Sequence, residues 1–147
     1  MKILSWNCRG FSKTTTVHRC RKLVQQFSPD FIFLSETKLL VSQAAISLVN
    51  LGYESFVGTD AVNLGGGTLL AWTRAMVVDV IELCPSVCHC KVKINGLTPF
   101  YYLSCVYGPP NASFRQNFWN WISSSAQSID SPWLLIGDFN EDRKSVV

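Results

Sequence analysis

The chain has 147 residues, a length that suits one domain. Thirteen Lys and Arg against ten Asp and Glu leave a net charge of +3, too small to argue for nucleic-acid binding by itself. With 48% hydrophobic, 12% aromatic and only 16% charged residues, the composition excludes a disordered chain. No apolar run approaches the ~20 residues that a membrane span requires. The opening MKILSWNCRG lacks the apolar stretch of a signal peptide, so an intracellular protein, nuclear or cytoplasmic and not secreted, is expected. The six cysteines then read as free, largely buried thiols rather than as a disulfide framework.

Residues 1–6 alternate enough to predict a first strand, ending at Asn7-Cys8-Arg9-Gly10. Residues 14–27 carry Val17, Cys20, Val24 and Phe27 at 3-4-3 spacing, one face of a helix, and Ser28-Pro29 stops it. Phe31-Ile32-Phe33-Leu34 is a continuous apolar run of the kind buried on both faces of a sheet, and it ends in Ser35-Glu36-Thr37-Lys38. A second helix is expected over 42–51, with Gly52 as its stop, and then a strand over 53–57. Strands over 68–72, 77–83 and 88–94 follow, and Asn95-Gly96 signals a hairpin to 100–106. Tyr107-Gly108-Pro109-Pro110 cannot continue a central strand. A helix over 113–126 should bury Phe114, Phe118, Trp121 and Ile122, and a last buried strand over 133–136 should break at Gly137-Asp138-Phe139-Asn140. The order predicts a mixed α/β fold, a sheet covered by helices, in one unit spanning 1–147.

Three of these apolar runs end in polar groups: Asn7 after ILSW, Glu36 after FIFLS, and Asp138 with Asn140 after WLLIG. Ligands in such sheets bind outside the carboxyl ends of the strands. Carboxylates and carboxamides meeting there supply oxygen ligands for a hard cation such as Mg²⁺. Asn and Asp at a strand end are ordinarily turn residues, but turn chemistry does not ask for a Glu.

SWNCRG, SETK, VYGPP and IGDFNE, in that order and spacing, resemble the endonuclease/exonuclease/phosphatase superfamily. The wording is most similar to the N-terminal endonuclease domain of plant LINE-type (non-LTR) retrotransposon polyproteins. That resemblance implies a four-layer αββα sandwich and Mg²⁺-dependent (or Mn²⁺-dependent) hydrolysis of a DNA phosphodiester by an activated water. Carried over position by position, Glu36 would be the principal metal ligand, with Asn7 assisting the metal and the phosphate. Asp138 would orient or deprotonate the water, Asn140 would hold the scissile phosphate, and Tyr107 would contact the phosphate or the leaving oxygen. Arg9, in the first strand-end turn, is the basic residue best placed on a phosphate. The family pattern continues past GDFN to an Asp-bearing segment and a final Ser-Asp-His. Only residues 141–147 follow here, and neither His18 nor His89 substitutes by position. The expectation is a partial domain, incomplete in its second sheet, with little or no turnover alone. A non-catalytic remnant or binding module is the alternative, as are phosphoesterases of the same superfamily with other substrates.

Other features have plainer readings. Cys84, Cys88, His89 and Cys90 offer zinc-ligand chemistry, but Cys88 and Cys90 fall on one strand face and His89 on the other, so core cysteines are expected. Six of the thirteen basic residues precede Asp30, the first acid. Of these, Arg19, Arg21 and Lys22 are better explained as a solvated helix face. Gly65-Gly66-Gly67 lacks the Lys-Ser/Thr of a phosphate loop and reads as a flexible connection. Phe114, Phe118 and Trp121 share one helical face and read as core rather than as base-stacking groups. So apolar a chain, read as part of a larger sandwich, should expose sheet surface that favours self-association.

Overall fold

The computed structural model describes residues 1–63, 65–97 and 99–141. Among them lie β1 (Ile3–Asn7), α1 (Thr14–Phe27), β2 (Phe31–Ser35), α2 (Val41–Val49), β3 (Ser55–Thr59), β4 (Thr68–Trp72), β5 (Met76–Cys84), β6 (Val87–Ile94), β7 (Tyr101–Tyr107), α3 (Ala112–Ser128) and β8 (Trp133–Asp138). The strands form two four-stranded sheets, ordered β1-β2-β4-β3 and β5-β6-β7-β8. Parallel neighbours need a long crossover, and each parallel pair has its helix: α1 joins β1 to β2, and α3 joins β7 to β8. All other pairings are antiparallel.

Side-chain alternation along the strands divides the interior into three layers. Phe31 and Phe33 of β2 meet Cys88, Cys90 and Val92 of β6 and Leu103 and Cys105 of β7 between the sheets. Ile32 and Leu34, on the opposite face of β2, pack under α1 and α2 against Cys20, Val24, Ala44, Ala45 and Leu48. Val87 and Val106 turn outward from the second sheet to Phe118 of α3, with Trp121, Ile122, Leu135 and Phe139 around them. The arrangement is the αββα sandwich, and β2 is buried on both faces as its continuous apolar run predicts. All six cysteines are free, and Cys88 and Cys90 lie together in the apolar layer between the sheets.

Several expectations change. The last strand does not break at Gly137 but runs on to Asp138, because Gly137 adopts φ +143° opposite Val106. A Cβ there would collide with the Val106 backbone, so the glycine is the residue that lets β8 continue. Phe114, expected in the core, is 59% exposed, whereas Phe118 and Trp121 of α3 pack against Val87 and Val106 of the sheet. Gly65-Gly66-Gly67 is a brace rather than a loose connection. The carbonyls of Gly66 and Gly67 accept from Lys38 N–H (2.9 Å) and Thr37 N–H (3.1 Å), which pins the segment after Glu36.

Candidate active site

Strand alternation places the site. Ile3 and Ile136 face the layer between the sheets, as do Leu103 and Cys105. Counting in twos along the same strands puts Asn7, Asp138 and Tyr107 on that face at the carboxyl ends of β1, β8 and β7. The polar residues therefore close one end of the apolar layer. Glu36 joins them from the residue after β2, in the left-handed region at φ 54°. Glu36 has no β-branch and tolerates that conformation better than a valine or isoleucine would, but it remains uncommon outside glycine. Backbone bonds hold it there: Cys8 N–H donates to Ser35 O (3.1 Å) and Gly10 N–H to Glu36 O (2.7 Å).

Asn7 is the central connection. Its Nδ2 donates to Glu36 Oε1 (3.0 Å) and to Asp138 Oδ2 (2.9 Å), so one carboxamide ties the two sheets' carboxylates together. Its Oδ1 accepts from Arg9 N–H at 3.2 Å, which fixes which way round the amide lies. Tyr107 Oη also donates to Glu36 Oε1 (3.0 Å). Both bonds fall on Oε1, leaving Oε2 without a partner among the described residues. Asn140, at φ 49°, donates its backbone N–H to Asp138 Oδ1 (2.9 Å) and its Nδ2 to Gly108 O (2.6 Å). Gly108 N–H returns a bond to Asp138 O (2.7 Å), so the VYGPP and GDFN segments are laced together. A Cβ on Gly108 would strike the Phe139 backbone, and only glycine allows that approach.

Tyr107 is half-buried, and burial, the bond to Glu36 and the charge of Glu36 together push its pKa up to about 12, against the opposing effect of Asn140. It is therefore a protonated donor across the physiological range. Arg9 is exposed at the rim, at φ 49°.

The structure thus brings Asn7, Glu36, Tyr107, Asp138 and Asn140 into one hydrogen-bonded cluster, with Arg9 beside it. Asn7 Oδ1 accepts from Arg9 N–H while its Nδ2 bridges the two carboxylates. Among the described residues no histidine is bonded to the cluster. His89 lies on the α3 side of the second sheet, bonded to Ser104 Oγ at 2.7 Å and stacked on Tyr102. The C-terminal residues 142–147 lie outside the described residues. Sequence reasoning missed Gly108 and Gly137 as parts of the site. The available signal was a glycine beside each strand-end polar group, at Tyr107-Gly108 and Gly137-Asp138.

Similar folds occur among solved structures. TDP2 from Caenorhabditis elegans matches with a TM-score of 0.66 at 16% identity, over 100% of this chain and 49% of that one. The human Nocturnin catalytic domain, solved with a bound sulfate anion, matches with 0.73 at 11%, over 98% of this chain and 65% of that one. The 3′ phosphatase NExo from Neisseria, bound to a product DNA hairpin, matches with 0.67 at 16%, over 95% of this chain and 58% of that one. The chain spans between about half and two thirds of these relatives' lengths. No curated protein matches the sequence. The endonuclease/exonuclease/phosphatase family model matches residues 4–145, nearly the whole length, and with the sandwich and the cluster at its open end the chain belongs to that family.

Proposed function

We propose that this chain carries the core site of a divalent-metal-dependent phosphodiesterase acting on DNA, of the retrotransposon endonuclease kind that its SWNCRG, VYGPP and GDFN wording resembles. The observation that carries the reading is the Asn7 bridge: one amide joins Glu36, from the first sheet, to Asp138, from the second. That NExo was solved with a DNA product lends support to the choice of DNA.

The donor set fits a hard cation. It is made of oxygens, with a carboxylate at its centre whose Oε2 is free of other partners, and it holds no thiolate or imidazole among the described residues. Glu36 would hold Mg²⁺ or Mn²⁺, and the bound ion would neutralise charge developing on the phosphate oxygens. The remaining chemistry belongs to the chain. Asp138, oriented by Asn7 and by Asn140 N–H, accepts a proton from the attacking water. Tyr107, held protonated, would turn its one O–H from Glu36 to a phosphate oxygen. Asn140 and Arg9 offer further donors to the phosphate. With no histidine in the cluster among the described residues, turnover by this chain alone is proposed to be weak.

Two measurements test the reading. Mn²⁺ binding followed by electron paramagnetic resonance should show a site in the wild-type chain that Glu36→Gln removes. Any Mg²⁺-dependent nicking of supercoiled plasmid should fall by about a thousandfold in the same variant, since members of a catalytic unit cost orders of magnitude when removed. Metal binding and nicking that both survive Glu36→Gln would overturn the assignment.

A further inference from the structure

A cavity of about 430 Å³ opens on the outer side of the second sheet, between the β5–β6 turn, the VYGPP segment and the first turns of α3. Val87, Tyr107, Pro109, Phe114, Phe118 and Trp121 line it, and Glu82 is the one charged residue in its wall. We propose that this cavity docks a partner polypeptide, which inserts one large apolar side chain among the aromatic rings and sets a neighbouring Lys or Arg against Glu82. Docking there requires no turnover and stands apart from the phosphodiesterase reading.

Three observations support it. First, the walls are held in place by bonds of their own. Trp121 Nε1 donates to Glu82 Oε2 (2.8 Å), which fixes the indole and the carboxylate against each other. Arg115 donates to Pro109 O (3.3 Å) and Pro110 O (3.1 Å), so the Pro-Pro rim is tied to α3. Tyr107 Oη is bonded to Glu36 Oε1 (3.0 Å), which anchors the ring where it lines the cavity. A preformed pocket spares its ligand the cost of ordering it. Second, the lining is graded from packed to open. Phe118 is 5% exposed, whereas Phe114, one turn earlier on α3, is 59% exposed. An aromatic ring left in water beside a packed apolar floor is the anatomy of a binding hot spot. Third, charge selects the partner. No Lys or Arg lines the cavity, and the Arg115 guanidinium is engaged by the proline carbonyls. A nucleic-acid backbone requires cations and would meet the Glu82 carboxylate instead. The Trp121 bond occupies Glu82 Oε2 and, among the described residues, leaves Oε1 available to a basic side chain.

The test uses the whole chain, with a random heptapeptide phage library as the probe and the enriched sequence then synthesised with a fluorescein label. Enriched peptides are expected to pair an aromatic residue or leucine with a neighbouring Lys or Arg. Phe114→Ala, which removes an exposed ring, should weaken the labelled peptide by about tenfold in anisotropy titrations. Glu82→Gln keeps an acceptor for Trp121 and should weaken it about threefold, and wild-type binding should fall as salt rises. Ile46→Ala, similarly exposed but on α2, is the comparison and should stay within about twofold. Peptide addition should also shift the Trp121 indole N–H resonance. A library that yields no enriched sequence, enriched peptides that are acidic, or equal losses in the Phe114 and Ile46 variants would overturn the docking site. So would either other occupant. One is a single-stranded oligodeoxynucleotide whose binding falls about tenfold in Phe114→Ala. The other is a dimer of the free chain that the same substitution converts to monomer in analytical ultracentrifugation.

Discussion

Single residues decide whether the two sheets present one site or two halves. Gly137 and Gly108 are the least replaceable, since each sits where a Cβ would run into backbone, that of Val106 and Phe139 respectively. Flexible side chains give way, but backbone in a sheet does not. Gly137→Ala also forces an alanine to φ +143°. It is expected to cost about 2 kcal/mol or more and to displace the neighbouring Asp138, with urea denaturation as the measure of the first. Loss of the Asn7–Asp138 bond is the expected second consequence, seen as a change in the Asn7 side-chain amide resonances. That Asn7, Glu36, Asp138 and Asn140 stand at strand ends was legible in the sequence, because each interrupts or follows an apolar run. What each one does was less legible. The Asn7 carboxamide offers donor and acceptor alike, and only the neighbouring Arg9 N–H and two carboxylates settle which end goes where.

Among the elements, α3 shows how periodicity reads a face without reading its cover. Phe114, Phe118, Trp121 and Ile122 share a side of the helix, yet Phe118 is 5% exposed and Phe114 59%. Phe114 stands in the helix's first turn, where Asn111 caps the amide of Ser113 at 3.0 Å. Phe118→Ala is therefore expected to cost about 3 kcal/mol or more, and Phe114→Ala to stay within about 0.5 kcal/mol. Paired thermal or urea melts of the two variants check this, and equal losses would contradict the packing described. The hairpin between β5 and β6 turns at Pro85-Ser86, bringing Cys84 opposite Val87. The six-residue connection from β6 to β7 carries Gly96 at φ +80°, as its Asn-Gly pair foretold. α1 matched its forecast end to end, since an amphipathic stripe closed by Ser28-Pro29 leaves few alternatives.

At the scale of the whole molecule, buried titratable groups set the pH limits of the sandwich. His89 packs between β6 and α3, with Ser104 Oγ on its Nδ1 and Trp133 Nε1 donating to the same hydroxyl (2.9 Å). Burial holds the pKa of His89 below the ordinary histidine value, against the charge of Glu82, so the fold favours neutral imidazole. The unfolded chain takes up the proton first, and stability falls as the pH drops below about 6.5. At the other limit, burial pushes both Tyr53 and Tyr107 up to about 12. Between about pH 10 and 12 the unfolded chain loses protons that the fold retains, so stability falls again. Urea midpoints should accordingly be highest near neutrality and decline at pH 5 and pH 11, with His89→Gln reducing the acid decline and Tyr107→Phe the alkaline one. The chain's own order of apolar runs and strand-end polar residues determined the α/β class, α1 almost to the residue, and four of the five members of the cluster, because periodicity and turn chemistry are local. Tyr107 entered through its match to the family motif. Tertiary structure alone decided that β1 and β8, 131 residues apart at Asn7 and Asp138, bring their ends together, and that Gly66 and Gly67 brace the Glu36 segment. Those contacts are set by which sheet edge faces which, and no local pattern in the chain carries that information.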